Sequence, residues 1–268
     1  MILRQGSISR PLAAEGFSEW LRIQSGLVLA LAERDVRSRL GENGFGFAMS
    51  FLAPLAWVAA TYLAFYLFGR TSPVFTDTIT FIISGLIPYA TFRAVVTAVG
   101  RSRATVRGLV IFPSVTEEHS VASAALVEVL NGFILLLVVF AANFLLFGRG
   151  EMADPAGFLW GMGLCWALGL SYGYVFLALS RFNARLNQLG QILLRPSFFL
   201  SAIFFTANEL PDRLLDVLGW NPLLHAVEIA RDGMLLHYQS RVASDGYVLL
   251  WIAALFGTGV VITSVRRA

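Results

Sequence analysis

Six apolar runs, each long enough to cross about 30 Å of hydrocarbon as a helix, constrain this chain more than any other feature of its sequence. They are Phe47 to Phe68, Thr78 to Gly100, Val121 to Phe147, Ala156 to Ser180, Leu186 to Asn208 and Gly246 to Val265, and the first, fourth and sixth carry no charge. A segment crossing lipid must satisfy its backbone hydrogen bonds by itself or in a closed barrel. A barrel needs segments of about ten residues with alternating polarity, whereas a run such as Val129 to Phe147 presents apolar residues on every side. The expected fold is therefore all-α, an integral membrane bundle of six transmembrane helices.

Composition supports lipid as the solvent: 57% of the 268 residues are hydrophobic, 14% are charged, and the mean hydropathy is +0.70. Six spans of about 20 residues consume nearly half the chain and leave only short connections. Residues 1–268 then form one transmembrane domain, with 1–46 a cytoplasmic N-terminal region and 47–265 the bundle. Residues 1–26 mix Arg10, Glu15, Glu19 and Arg22 with short apolar pieces, which is not the order of a signal peptide.

The net charge of +3 would suit nucleic acid, but the basic residues lie between apolar runs and do not cluster on a soluble face, so nucleic acid is excluded as a partner. All twenty basic residues are Arg. Without a lysine the chain cannot form a Walker-type nucleotide site. Cys165 has no second cysteine to pair with, and the three His have no metal-ligand spacing. No catalytic, cofactor or metal site is expected.

Arginine distribution sets the orientation. Six arginines precede the first run, Arg101, Arg103 and Arg107 follow the second, Arg181 and Arg185 follow the fourth, and Arg266 and Arg267 end the chain. These thirteen belong to one side, so both termini are expected in the cytoplasm. Leu21 to Leu40 places Val28, Ala32, Val36 and Leu40 on one stripe, as in an amphipathic helix at the cytoplasmic interface.

Glu209 to Tyr238 is too short for two further crossings. Pro211, Gly219 and the Asn221-Pro222 pair punctuate it as two short outer helices, re-entrant or interfacial, between spans five and six. On the second of these, His225, Glu228 and Asp232 share a face that is expected to meet water or a partner, with Arg231 one turn from Glu228.

Several motifs carry a family resemblance: Arg37-Ser-Arg39-Leu-Gly41, Ser84-Gly-Leu-Ile-Pro88-Tyr, Gly108-Leu-Val-Ile-Phe-Pro113, Ile192-Leu-Leu-Arg195-Pro196-Ser-Phe-Phe, and Trp220-Asn-Pro-Leu-Leu-His225-Ala-Val-Glu228-Ile-Ala-Arg231. In this order and spacing the chain resembles the permeases of capsular polysaccharide exporters, the membrane subunits of type-two ABC transporters in Gram-negative bacteria. The resemblance implies an inner-membrane transport subunit that is not an enzyme. It implies a homodimer, a separate nucleotide-binding subunit that holds ATP and Mg, a periplasmic export adaptor, and a lipid-linked polysaccharide as substrate. O-antigen, teichoic acid or a small lipophilic compound is the alternative cargo. A membrane glycosyltransferase would show an Asp-x-Asp motif, and a secondary transporter would show internal repeats; neither is present.

A channel for sugar rings needs aromatic faces with polar tips. Tyr62, Tyr66, Tyr89, Trp166, Tyr172 and Tyr174 lie inside the runs and are the candidates. Arg93 and Arg195 are candidates for contact with an anionic substrate end or lipid phosphate, and Glu128 for pairing with one of them. Arg107, Leu109, Ile111, Phe112 and Pro113 form an apolar cytoplasmic loop that a partner ATPase would cover. Asn221, His225, Glu228 and Arg231 are the candidate outer gate.

Overall fold

A computed structural model describes residues 17–40, 45–108, 114–148 and 152–265. The described elements are helical: α1 (Phe17–Leu40), α2 (Phe45–Leu67), α3 (Thr78–Gly100), α4 (Ser102–Arg107), α5 (Glu117–Phe147), α6 (Pro155–Ser180), α7 (Ala184–Leu193), α8 (Ser197–Leu200), a 3-10 turn (Ala207–Glu209), α9 (Asp212–Leu218), α10 (Pro222–Met234) and α11 (Asp245–Val265). Among the described residues, four helices are long and apolar enough to cross a membrane: Thr78–Arg107, Glu117–Leu145, Pro155–Ser180 and Asp245–Val265.

Local chemistry fixes where these helices start. Asp77 accepts from Thr80 N at 3.0 Å to cap α3, and Asp154 accepts from Ala156 N at 3.0 Å to cap α6, with Pro155 in the first turn. Asn221 accepts from Leu223 N at 3.1 Å ahead of Pro222. Each cap satisfies an N–H that the helix itself leaves open. Gly148, at φ 67°, ends α5 in the left-handed conformation that a side chain disfavours. α9 begins after Pro211 and ends before Gly219, and α10 begins at Pro222, as the punctuation predicts.

α3 is the axis of the fold. Phe81, Ile82, Ile83, Phe92, Val95, Val96 and Val99 are all buried, enclosed by α2, α5, α6 and α10. No hydrophobic force pulls helices together in lipid, so close association relies on small residues that let backbones approach. Gly169 of α6 is one: a Cβ there would sit 2.7 Å from Phe92 O. Gly161 of α6 is another, where an added carbon would overlap the backbone N and Cα of Ala230 in α10.

The structure corrects the expectation for the fifth run. Leu186 to Asn208 is not one continuous helix: α7 ends at Leu193, α8 is a single turn after Pro196, and residues 201–206 bend with no helix. Ala202 takes φ 57°, a left-handed conformation inside an apolar stretch. What holds that break is described below. α1 also differs from a helix merely resting at an interface, since Leu31 and Ala32 are buried and the helix packs on α5.

Because the α6–α10 seam depends on backbone contact at Gly161, Gly161→Ala should force the helices apart at an overpacking cost of about 1–3 kcal/mol. Gly163, with nothing near its would-be Cβ, provides the control. Thermal unfolding of the detergent-purified protein should show a lowered midpoint for Gly161→Ala and an unchanged one for Gly163→Ala.

Candidate functional site

Arg231 organises the packing of α10 against α3 and the segment 200–207. It is fully buried on α10, and its Nη1 donates to Glu228 Oε1 at 2.7 Å and to Phe205 O at 2.9 Å. Nη2 donates to Ala202 O at 2.6 Å, Nε to Ser84 Oγ at 3.2 Å, and the guanidinium lies 4.5 Å from the centre of the Phe81 ring. The other carboxylate oxygen of Glu228 accepts from Tyr238 Oη at 2.5 Å and from Ala207 N at 3.4 Å. Asn221 Nδ2 donates to Leu200 O at 3.1 Å. Four backbone groups of the break, Leu200 O, Ala202 O, Phe205 O and Ala207 N, are therefore met by side chains of α10 and its cap.

This corrects the expected surroundings of α10. On the face expected to meet water or a partner, His225 and Glu228 are buried in the chain's own interior, as is Arg231, and Asp232 is half-buried; the broken helix there needs donors and acceptors. His225 Nε2 donates to Gly219 O at 2.8 Å, and the ring lies 4.6 Å from that of Tyr247. Asp232, further along α10, accepts from Ser240 N at 2.8 Å. Burial pushes its carboxyl up to about 6, against that hydrogen bond.

Two cavities meet on the side of α3 that faces α1, α2 and α5. The first, of about 680 Å³, is lined by Arg34, Asp35 and Arg39 of α1, by Arg93 and Thr97 of α3 with Arg101, and by Ser120, Ser123, Glu128 and Asn131 of α5. Four arginines face two carboxylates there, which favours an anion. The second, of about 530 Å³, is lined by Trp57, Tyr89, Phe198 and Phe199 with Arg93 and Arg195 at its edge. Its rings pack on one another, with Trp57–Phe198 centres at 4.9 Å and Tyr89–Phe198 at 5.3 Å, edge-on. Pro54, Ala90 and Arg93 line both cavities. Arg93 Nη1 is buried there with no hydrogen-bond partner.

The structure thus brings Tyr89, Arg93 and Arg195 together. Glu128 pairs with neither arginine: its Oε1 accepts from Arg39 Nη2 at 2.7 Å and its Oε2 from Asn131 Nδ2 at 3.1 Å. Arg39 comes from α1, which crosses α5 at this point, whereas Arg93 projects from α3 on the far side of the cavity.

The other aromatic candidates line neither cavity. Tyr62 and Tyr66 are exposed on α2, Trp166 Nε1 donates to Ala125 O at 3.0 Å, Tyr172 meets Phe92 edge-on at 5.8 Å, and Tyr174 stacks on Phe256 at 5.1 Å. Arg107 is exposed at the end of α4, while Leu109, Ile111, Phe112 and Pro113 lie outside the described residues. Sequence reasoning missed Trp57, Phe198, Phe199, Arg34 and Arg39 as lining residues. The Arg37-Ser-Arg39 and Arg195-Pro196-Ser-Phe-Phe motifs were the available signals.

Comparison with known proteins adds a family. Residues 26–235 match the model of the ABC-2 type transporter family. Over 262 residues the chain is 27% identical to the polysialic acid transport protein KpsM of Escherichia coli, covering 96% of this chain and 98% of the relative. A second Escherichia coli KpsM is 26% identical over the same length. The capsule polysaccharide export inner-membrane protein CtrC of Neisseria meningitidis serogroup A is 24% identical over 259 residues, covering 94% of this chain and 96% of the relative.

The Arg231 geometry makes a stability prediction. Removing one partner of a buried ion pair leaves the other charge uncompensated at about 3–5 kcal/mol. Arg231→Met should therefore lower the unfolding midpoint of the purified protein strongly, and adding Glu228→Gln should recover part of the loss. An unchanged midpoint for Arg231→Met would show that the pair does not hold the break.

Proposed function

The chain belongs to the ABC-2 type transporter family, and from that premise we propose that it is the permease of an ATP-driven exporter moving lipid-linked capsular polysaccharide across the inner membrane. One observation carries the reading beyond the family: an arginine-rich polar cavity and an aromatic pocket share a wall at Arg93. A glycan with an anionic lipid end needs both surfaces side by side. Sugar rings have apolar C–H faces that rest on Trp57, Tyr89, Phe198 and Phe199, while the anionic group takes hydrogen bonds from Arg93 and Arg195. The unpartnered Nη1 of Arg93 is a donor for such a group.

In this reading the chain crosses the membrane six times, with α2 and the broken α7–α8 segment joining the four long helices, and α9 and α10 form the outer re-entrant pair. Both termini face the cytoplasm. A homodimer faces a nucleotide-binding subunit that carries ATP and Mg, since the chain has no lysine for a phosphate loop. The segment from Arg107 to Pro113 meets that subunit, and a periplasmic adaptor receives the polymer. Tyr62 and Tyr66, exposed on α2, become channel surface only when a second copy encloses them. Asn221, His225, Glu228 and Arg231 act as the fixed outer support against which the gate works.

Charge-assisted hydrogen bonds contribute about 1.5–3 kcal/mol each, so losing two should weaken substrate capture by at least about tenfold. Arg93→Gln combined with Arg195→Gln should reduce surface capsule accordingly while the amount of inserted protein stays constant. Arg185→Gln, at an exposed arginine outside both cavities, should not change it. Equal capsule from the double variant and the control would contradict the assignment.

A further inference from the structure

The first turn of α5 gathers contacts from three other parts of the chain. Glu117, its first residue, follows the cap Thr116. Glu117 Oε2 accepts from Arg181 Nε at 3.0 Å and from Arg181 Nη2 at 2.6 Å. Arg181 is the residue that closes α6 immediately before α7, its own backbone N–H donating to Ala178 O and Leu179 O. Glu117 Oε1 faces Arg103 Nε of α4 at 3.6 Å. Two residues on, His119 Nε2 donates to Gln24 Oε1 of α1 at 2.5 Å, while its Nδ1 accepts from Thr116 N at 3.1 Å. The Arg181 side chain is only 13% exposed and both its donors reach one carboxylate oxygen, so the contact is charge-assisted and largely shielded from water.

The position of this turn gives these contacts a direction. Arg103 and Glu117 stand on either side of residues 109–113, so their pairing closes the base of the segment that joins α4 to α5. Three residues separate that segment from Glu117. Glu117 is the first of the 31 residues of α5, and the next turns carry Ser120, Ser123, Glu128 and Asn131, which form one wall of the polar cavity. A helix moves as a rod, so a displacement at its first turn shifts that wall. Through Arg181 the same displacement reaches the α6–α7 corner, and through His119 it reaches α1, which carries the opposite wall at Arg34, Asp35 and Arg39.

We propose that Glu117 is the positioning residue of an energy-coupling joint, the point from which motion of the α4–α5 segment is shared among α1, α5 and α6 around the polar cavity. This rests on the exporter reading above, in which that segment meets the ATPase. Glu117 touches neither cargo nor nucleotide. Its work is to keep three helices from moving independently, so its loss separates hydrolysis from export and leaves assembly intact.

The test compares the unaltered complex with Glu117→Gln and Arg181→Gln, each purified with its bound ATPase and reconstituted in inverted vesicles with lipid-linked glycan. ATP hydrolysis and glycan uptake are measured on the same vesicles. Both variants should retain the ATPase and hydrolyse ATP at a near-normal rate, while glycan moved per ATP falls on the order of tenfold, within the range of coupling between distant sites. An unchanged glycan-to-ATP ratio in both variants would overturn the proposal. So would a loss of export that simply tracks loss of the bound ATPase, since that is a structural role. A lack of ATP-driven uptake by the unaltered complex would instead overturn the exporter reading, a failure separate from the other two.

Discussion

A peptide group that leaves a helix in a buried apolar interior must find a partner within the protein, because there is no water to supply one. Much of this structure follows from how that requirement is met between Leu200 and Ala207. One guanidinium, that of Arg231, takes the carbonyls of Ala202 and Phe205, and Asn221 takes that of Leu200. Glu228 accepts the N–H of Ala207 and neutralises the arginine. A lone buried charge would be strongly unfavourable, but here Arg231 makes four hydrogen bonds and Glu228 accepts three, the condition under which a buried pair is tolerated. The pair therefore fixes geometry. It seats α10 between α3 and α6, and glycines at the contact let the backbones come close enough for the arginine to reach.

The break has a consequence on the other side of α3. Arg195, Phe198 and Phe199 stand at i, i+3 and i+4, a spacing that keeps them on one helical face. The turn after Pro196 gathers them toward α2 and α3, where Phe198 meets Trp57, Tyr89 and Phe204 within ring-contact distance. An aromatic pocket results, and it opens onto the polar cavity at Arg93. The Arg231–Glu228 network and the aromatic pocket are thus linked through one discontinuity in the chain. α1 completes the polar side, held to α5 by Arg39 on Glu128 at one end and by Gln24 with His119 at the other.

Much of this was legible before any coordinates. Hydropathy located α3, α5, α6 and α11, because a span of unbroken apolar residues has few alternatives in lipid. Capping chemistry located α9 and α10, since Pro211, Gly219 and Asn221-Pro222 act locally and need no tertiary information. The broken fifth run was not legible, because its residues are as apolar as a span and the reason for the break lies some thirty residues away at Arg231. Glu128 was misassigned for a similar reason: its partner, Arg39, is set by how α1 crosses α5, which periodicity does not reveal. Of the aromatic candidates Tyr89 lines one of the two cavities that meet at Arg93 and the others line neither, since the sequence shows that a ring lies within a span but not which way it faces.

The cavities that meet at Arg93 are proposed to hold the anionic end of a lipid-linked glycan. The most direct measurement is photo-crosslinking in capsule-producing cells from Ala90, which lines both cavities, with Leu250 on the exposed face of α11 as reference. A photoreactive residue at position 90 should capture the glycolipid, identified by mass spectrometry, and the same residue at position 250 should capture only bulk phospholipid. Identical phospholipid adducts at both positions, with no glycan attached at position 90, would contradict that assignment.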